Sequence, residues 1–417
     1  MPHHVIKAIP FSTRLLQGGA KHIVAADKAR ARKFLSGVHP HGPLMRNKSH
    51  AHKHHHRAPH HAAGGAEDAT GGAEAADPGS IDVTDAAVTY TMSVGVGSPA
   101  TQYTLLIDTG SSNTWVGADQ KYTATSTSTD TRHTVNVSYG SGSFSGTEFT
   151  DEVTLAPGLV IQKQSIGVAS TATGFNGVDG ILGIGPVDLT SGTVSSTSTV
   201  PTVTDNLFSQ GTIPVESIGI SYIPTTDAGD VVNGELTFGG TDSTKFNGQI
   251  EFVPITSTSP ASNYWGIDQT VTYGTDGSTI LSSTAGIVDT GTTLLMLATD
   301  AFQAYQKATG ATLDNTTGLL TITEDQFDNL ESLFFQIGDQ TLELTANAQI
   351  WPRALNSTLG GQEGQIYLIT ADLGSNSGTG LDFIDGFGFL QRFYSVFDTT
   401  NNQVGFATTD FTDATTN

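Results

Sequence analysis

With 417 residues the chain can bury a core of about two domains, and it has no apolar run long enough to span a bilayer as a helix. Forty acidic residues against 18 basic ones leave a formal net charge of −22, which repels nucleic acid and anionic membranes and argues against both as partners. Cysteine is absent, so disulfides carry no information about redox compartment, and a chain of this size does not need them.

The charge is segregated. Residues 1–80 hold 11 Lys and Arg against 5 Asp and Glu, whereas residues 81–417 hold 7 basic and 35 acidic residues. A basic segment laid across an acidic body reads as an inhibitory prosegment, and such a body suits work at low pH. Twelve of the 13 His lie in the first 61 residues, seven of them from His50 to His61. That tract has three readings: a disordered linker, a pH-sensing stretch, or an adventitious metal-binding run. The small residues from Ala62 to Gly79 form a flexible linker suited to proteolytic removal, with the mature chain expected to begin between Ala75 and Ile81. Met1-Pro2-His3-His4 leads straight into a charged stretch without the apolar core of a signal peptide. An omitted signal, a misplaced start and another export route all stay open.

From about residue 88 apolar and polar residues alternate, as in Val88-Thr89-Tyr90-Thr91-Met92-Ser93-Val94, between frequent turn residues. That period of two predicts a mostly β protein. Leu105-Leu106-Ile107-Asp108-Thr109-Gly110-Ser111-Ser112 places a carboxylate at the end of an apolar strand, and Tyr139-Gly140-Ser141-Gly142 reads as a mobile hairpin tip. Short helices are expected over 205–210, 299–306 and 324–330, each with a polar start and an apolar stripe. Gly286-Ile287-Val288-Asp289-Thr290-Gly291-Thr292-Thr293 repeats the first carboxylate pattern 181 residues on. Two carboxylates at the ends of buried strands, one per half, are the raw material of a dyad that shares one proton, because close carboxyls cannot both ionise. Sequons at Asn47, Asn136, Asn315 and Asn356 permit glycosylation, unmodified surface loops being the alternative.

These motifs, in this order, resemble the pepsin-like aspartic endopeptidases, in particular the polyporopepsin-type enzymes of fungi. The stretch Asp108 to Val116 is similar to the family's first signature, Tyr139 to Gly142 to its flap tip, and Asp179-Gly180-Ile181-Leu182-Gly183 to the segment supporting the first aspartate loop. Tyr264-Trp265-Gly266-Ile267, the Asp289 motif, Phe389 to Asp398 and Val404-Gly405-Phe406-Ala407 continue the match to the C-terminus. Ile384-Asp385-Gly386 departs from it, an acid standing where the family has an apolar residue, and such an acid should prefer a partner or solvent.

The resemblance implies an all-β, bilobal fold: a propeptide and linker over 1–77, an N-terminal lobe over 78–255 and a C-terminal lobe over 256–417 around a long cleft. It implies that Asp108 and Asp289 activate a water, with no cofactor and no metal. Thr109 and Thr290 would cross-link the two loops, Gly110 and Gly291 allow close approach, and Ser111 and Thr292 bond the outer carboxylate oxygens. Tyr139 would close over substrate with its hydroxyl bonded to Trp115, and Ile166 would line an apolar subsite. A propeptide strand would pair into the sheet, with a base over the dyad; Arg32 and Lys33 are candidates within Asp27 to Phe34. The expected partners are extended protein and peptide substrates with large apolar side chains about the cut, and the chain's own propeptide as inhibitor. A monomer suffices, and an extracellular or vacuolar location is expected. A noncatalytic binding relative and a Gly/Thr-rich lectin-like or structural β protein are the rival classes.

Overall fold

The computed structural model describes residues 7–15, 19–36, 88–227, 229 and 231–416; the His tract, the small-residue linker with its expected cleavage region and Asn47 lie outside them. The described chain opens with strand β1 (Lys7–Leu15) and helix α1 (Ala20–Ser36). The first half then runs through β2 (Val88–Val96), β3 (Thr101–Asp108), β4 (Thr114–Val116), β5 (Thr129–Ser138), β6 (Ser143–Ala156), β7 (Leu159–Thr173) and β8 (Gly180–Gly183). Helix α2 (Val203–Ser209) leads to β9 (Ser217–Tyr222), β10 (Val231–Phe238) and β11 (Asn247–Pro254).

The second half holds β12 (Gly266–Tyr273), β13 (Ser278–Val288), β14 (Leu295–Leu297), α3 (Thr299–Thr309), β15 (Thr312–Leu313), β16 (Leu320–Ile322) and α4 (Glu324–Phe327). It continues with β17 (Leu333–Ile337), β18 (Gln340–Leu344), β19 (Ile366–Tyr367), β20 (Thr370–Asp372), β21 (Phe383–Asp385), α5 (Phe387–Leu390), β22 (Phe393–Asp398) and β23 (Gln403–Thr408). The fold is mostly β, as the alternation predicts.

A 13-stranded sheet runs β11-β23-β22-β9-β10-β1-β2-β3-β8-β4-β7-β6-β5, and a 7-stranded one β18-β17-β12-β13-β21-β14-β20. The closing strands β22 and β23 therefore cross back into the sheet of the first half. Strand β1 is inserted between β10 and β2, with Ile9 opposite Leu236 and Thr13 opposite Tyr90. In both halves the catalytic-motif strand pairs in parallel with a short buried strand: Ile107 lies beside Leu182, and Val288 beside Asp385. A parallel neighbour leaves the aspartate at the strand's C-terminal edge, where the chain must turn away.

The expected helices are present as α2, α3 and α4. Reciprocal capping fixes two of their starts, Thr202 with Asp205 and Thr323 with Gln326, and Gly310 at φ 68° ends α3. Helix α1 is the difference from the sequence reading, which placed no helix among residues 20–36. Its packed face is Ala20, Ile23, Val24, Asp27, Ala31 and Phe34, spaced by three and four, with small and acidic members that blunt the apolar stripe.

A second apolar cluster sits under the hairpin tip. Trp115 stacks on Phe144 with centroids 4.2 Å apart, and Phe175 packs edge-on against both Trp115 and Tyr139. Burying each such side chain contributes about 1.5–3 kcal/mol, which holds the base of the hairpin while its Gly-rich tip stays adaptable.

Candidate active site

Asp108 ends β3 and Asp289 directly follows β13, both buried, and their loops meet face to face. The Thr109 N–H donates to Thr290 Oγ1 at 3.1 Å, and the Thr290 N–H donates to Thr109 Oγ1 at 2.9 Å. Thr290 Oγ1 donates onward to the Ile107 carbonyl at 3.3 Å. This reciprocal cross-link, buried at both ends, sets the spacing of the two carboxylates.

Each carboxylate is held by its own loop. The Gly110 N–H reaches Asp108 Oδ1 at 3.0 Å and the Gly291 N–H reaches Asp289 Oδ1 at 3.1 Å. Ser111 Oγ donates to Asp108 Oδ2, and Thr292 Oγ1 donates to Asp289 Oδ2 at 2.6 Å. The glycines are required by close approach. A Cβ on Gly110 would lie 2.6 Å from Asp289 Oδ1, and one on Gly291 would lie 2.7 Å from Asp108 Oδ1. The inner oxygens thus face each other across the loops, while hydroxyls occupy the outer ones.

Arg30 of α1 fills the space between them. Its Nε donates to Asp289 Oδ2 at 2.6 Å and its Nη2 to Asp289 Oδ1 at 2.9 Å, while Nη2 also bonds Asp108 Oδ1. Burial works against the guanidinium's charge, but the two aspartates outweigh it and hold the group firmly protonated. The bridging base is therefore neither Arg32, which is exposed, nor Lys33. Lys33 lies instead over the Tyr139 ring, 5.1 Å from its centroid, and burial beside Arg30 lowers it to about 8.

The rest of the helix completes the plug. Asp27 is buried and accepts the N–H groups of Thr293 (3.1 Å to Oδ2) and Leu294 (2.9 Å), and burial lifts its carboxyl to about 7 against those bonds. Phe34 packs edge-on against Tyr264 at 4.7 Å, and Lys28 reaches Asp372 at 3.3 Å.

The hairpin tip lies over the same helix. The Tyr139 N–H donates to the Gly142 carbonyl at 2.7 Å across the tip that holds Gly140 and Ser141, and any Cβ on Gly140 would run into the Arg30 backbone. The Tyr139 hydroxyl is buried beside the Trp115 indole, as expected, and beside Ser111; burial raises the phenol well above its ordinary value, and hydrogen bonding to both works against it.

Ile166 is corrected more fully. It is completely buried in the main core, opposite Phe149, whereas its neighbour Gly167 is the position that faces Trp115 and Phe144. The apolar wall beside Tyr139 is built instead by Phe175, Val178 and Ile181. Ile181 was legible inside the Asp179–Gly183 motif; Phe175 and Val178 carried no signal of their own. Of the sequons, Asn136 and Asn315 are exposed. Asn356 is buried with its amide donating to the Gln362 and Gln365 carbonyls, so the fold leaves no place for a glycan there.

The family model for eukaryotic aspartyl proteases matches residues 89–409, which hold both aspartate loops and the hairpin tip. The chain belongs to the pepsin-like aspartic protease family. It is 64% identical to polyporopepsin of Irpex lacteus over 81% of this chain and 99% of that one. Rhizopuspepsin-1 of Rhizopus niveus is 35% identical over 70% and 76% of the two chains, and pepsin A of Sus scrofa 31% over 76% and 80%. The crystal structure of the aspartic proteinase from Irpex lacteus superposes with a TM-score of 0.77 at 65% identity, covering 79% of this chain and 96% of that one. The chain is thus an aspartic-type endopeptidase, and both halves of the family's paired motif are in place.

Proposed function

We propose that this endopeptidase is made as a zymogen, works at acid pH, and uses Asp108 and Asp289 as its catalytic pair. The observation that carries the reading is the Arg30 guanidinium bonded to both carboxylates at once. An enclosed cation on that pair occupies the position a water and a scissile carbonyl would need.

Once α1 leaves, the two carboxyls hold one proton between them. The ionised one draws a proton from a bound water while the protonated one donates to the scissile carbonyl oxygen. Attack gives a neutral gem-diol; proton transfer to nitrogen then breaks the C–N bond and releases an amine and a carboxylic acid. The two carboxyls act together, so neither residue is assigned the proton. Substrate lies extended, its main chain bonded to the hairpin tip and to the Thr293 and Leu294 N–H groups that Asp27 now holds, and its side chains alternate into apolar pockets such as that of Phe175, Val178 and Ile181.

We read the protein as a secreted monomer, vacuolar targeting being the alternative; exposed sequons at Asn136 and Asn315 and an acidic body support export. The test is acid incubation of the full chain followed by N-terminal sequencing and proteolysis assay. Loss of about the first 75–80 residues together with the appearance of activity is expected; an active chain that keeps α1 would refute the zymogen reading.

A further inference from the structure

Asp385 interrupts an apolar run, and the chemistry above does not use it. Its place is fixed by register. Asp108 and Asp289 are equivalent, Ile107 lies beside Leu182, and Val288 lies beside Asp385, so Asp385 stands where the first half has Leu182. Gln269 likewise stands for Val94. In the first half Thr91 lies opposite Leu106 and Val94 opposite Tyr103; in the second Gly266 lies opposite Ile287 and Gln269 opposite Thr284. An apolar pair in one half has become an acid and an amide in the other.

The two polar side chains meet. Gln269 Nε2 donates to Asp385 Oδ1 at 3.1 Å, and the residues are 1% and 0% exposed. Asp385 Oδ2 and Gln269 Oε1 are buried too, and neither finds a donor among the described residues. A lone charge enclosed with a single N–H for company is strongly disfavoured, and the two leftover acceptor oxygens lack one hydrogen between them. The strand of Asp385 braces the second aspartate loop: the Asp289 N–H donates to the Asp385 carbonyl at 3.2 Å, and Leu295 pairs with Asp385.

We propose that Asp385 is held as the neutral acid and closes a two-bond pair with Gln269, Nε2–H to Oδ1 and Oδ2–H to Oε1, making it a pH-sensitive positioning residue for the Asp289 loop. The inference rests on reading Asp289 as catalytic. Burial pushes the Asp385 carboxyl up to about 8, the Gln269 bond alone drawing it back.

The groups around it leave the proton in place. On β13 the neighbours are Ile287 and Val288, on β14 Leu295 and Met296, and on α5 Phe387. Asp268 of β12 is exposed and takes the Thr256 hydroxyl; Asp382 is occupied by Thr284, Gly378 and Thr379. Asp289 follows the Val288 that lies beside Asp385. Among the described residues no cation pairs with Asp385.

The folded state keeps a proton that the unfolded chain loses near pH 4, so the folded-to-unfolded ratio falls by up to about tenfold per pH unit from about 4 to about 8. Above that range the ionised carboxylate would part from Gln269 Oε1 and loosen β21 beneath Asp289.

The test compares the acid-processed full chain with Asp385→Asn and with Asp385→Leu/Gln269→Val, which rebuilds the first half's pair. Unfolding is followed against pH, and activity at acid pH is assayed after incubation at higher pH. Both variants should flatten the pH dependence of unfolding and move the upper limit of surviving activity upward by about one pH unit. Glu148, pushed to about 7, and Glu216, pushed to about 8, keep part of the dependence in every form. A protonated-carboxyl infrared band that persists at neutral pH in the wild type and is missing from Asp385→Asn is also expected. Unfolding and infrared readouts need no catalysis, so they stand apart from the assignment of Asp289. An unchanged pH profile in both variants, or no difference band, would overturn the proposal. Should neither variant fold, the infrared titration is run on Glu216→Gln, which removes the other acid titrating near pH 8: a buried-acid band that persists to neutral pH and is lost near pH 8 in that variant supports the proposal, and its absence there overturns it.

Discussion

Arg30 Nε donates to Asp289 Oδ2 at 2.6 Å, an ion pair between the N-terminal helix and the second catalytic-motif loop with almost no solvent between them. Removing one partner of such a pair leaves the other charge enclosed, which costs about 3–5 kcal/mol. Arg30→Ala should therefore weaken docking of α1 and let the segment be lost at a higher pH than in the wild type. The check is the rate of N-terminal shortening as a function of pH; an unchanged rate would contradict the pair's role.

Lys33 works in the opposite sense. Its carrier Nζ is largely buried and lowered from 10.5 to about 8, so docking strains the charged form at every pH below that, which corresponds to about 3 kcal/mol. The contact with the Tyr139 ring returns about 1 kcal/mol, less than burial takes away. Lys33→Met should tighten docking and slow acid processing, read from the same shortening assay.

Asp27 separates two accounts of acid release. Its docked value of about 7 lies above that of a free carboxyl, so its contribution to docking is fully present below about pH 4 and is lost as pH rises through 7. Asp27 thus opposes release in acid. Asp372, drawn down mainly by its Thr299 and Gly374 bonds with Lys28 adding to them against burial, contributes docking that disappears as pH falls below its ordinary range. Asp27→Asn should leave α1 docked more firmly at neutral pH, and Lys28→Ala should weaken docking by up to about 1 kcal/mol, more at neutral pH than in strong acid. Binding of a synthetic 20–36 peptide to the processed enzyme across pH measures both.

Ser111 and Thr292 each hold an outer carboxylate oxygen, yet they differ in burial: Thr292 is fully enclosed and Ser111 partly open. A lost hydroxyl is replaced by water more readily at the open site. Thr292→Val should therefore lower kcat more than Ser111→Ala, with the loss on the order of tenfold or more for Thr292. Steady-state kinetics at acid pH on one peptide decides it.

Much of the site was legible because its parts are local in sequence. Asp-Thr-Gly at a strand end dictates the turn, the hydroxyl and the close approach, and all eight residues named for the dyad and its loops fall together. What was not legible depends on faces. Choosing Arg30 over Arg32 needed the helix: Asp27, Arg30, Ala31 and Phe34 share one side, and Arg32 points away. The signal lies in the spacing by three and four of Asp27, Arg30, Ala31 and Phe34, which a charge pattern alone does not carry. Ile166 failed for the analogous reason on a strand, where one step in register moves a side chain from the cleft wall to the core. Asp385 was visible as an anomaly, but its partner Gln269 lies 116 residues earlier and only the sheet brings them together.

Asp108 and Asp289, as proposed, form the catalytic pair of an acid endopeptidase. The most direct measurement is cleavage of a denatured protein by the acid-processed chain, from about pH 2 to 7, for wild type and Asp289→Asn, with and without pepstatin. Pepstatin-sensitive cleavage at acid pH is expected of the wild type and none of the variant, which folds normally. Turnover by a folded Asp289→Asn, or an inert wild type that has lost α1, would contradict it.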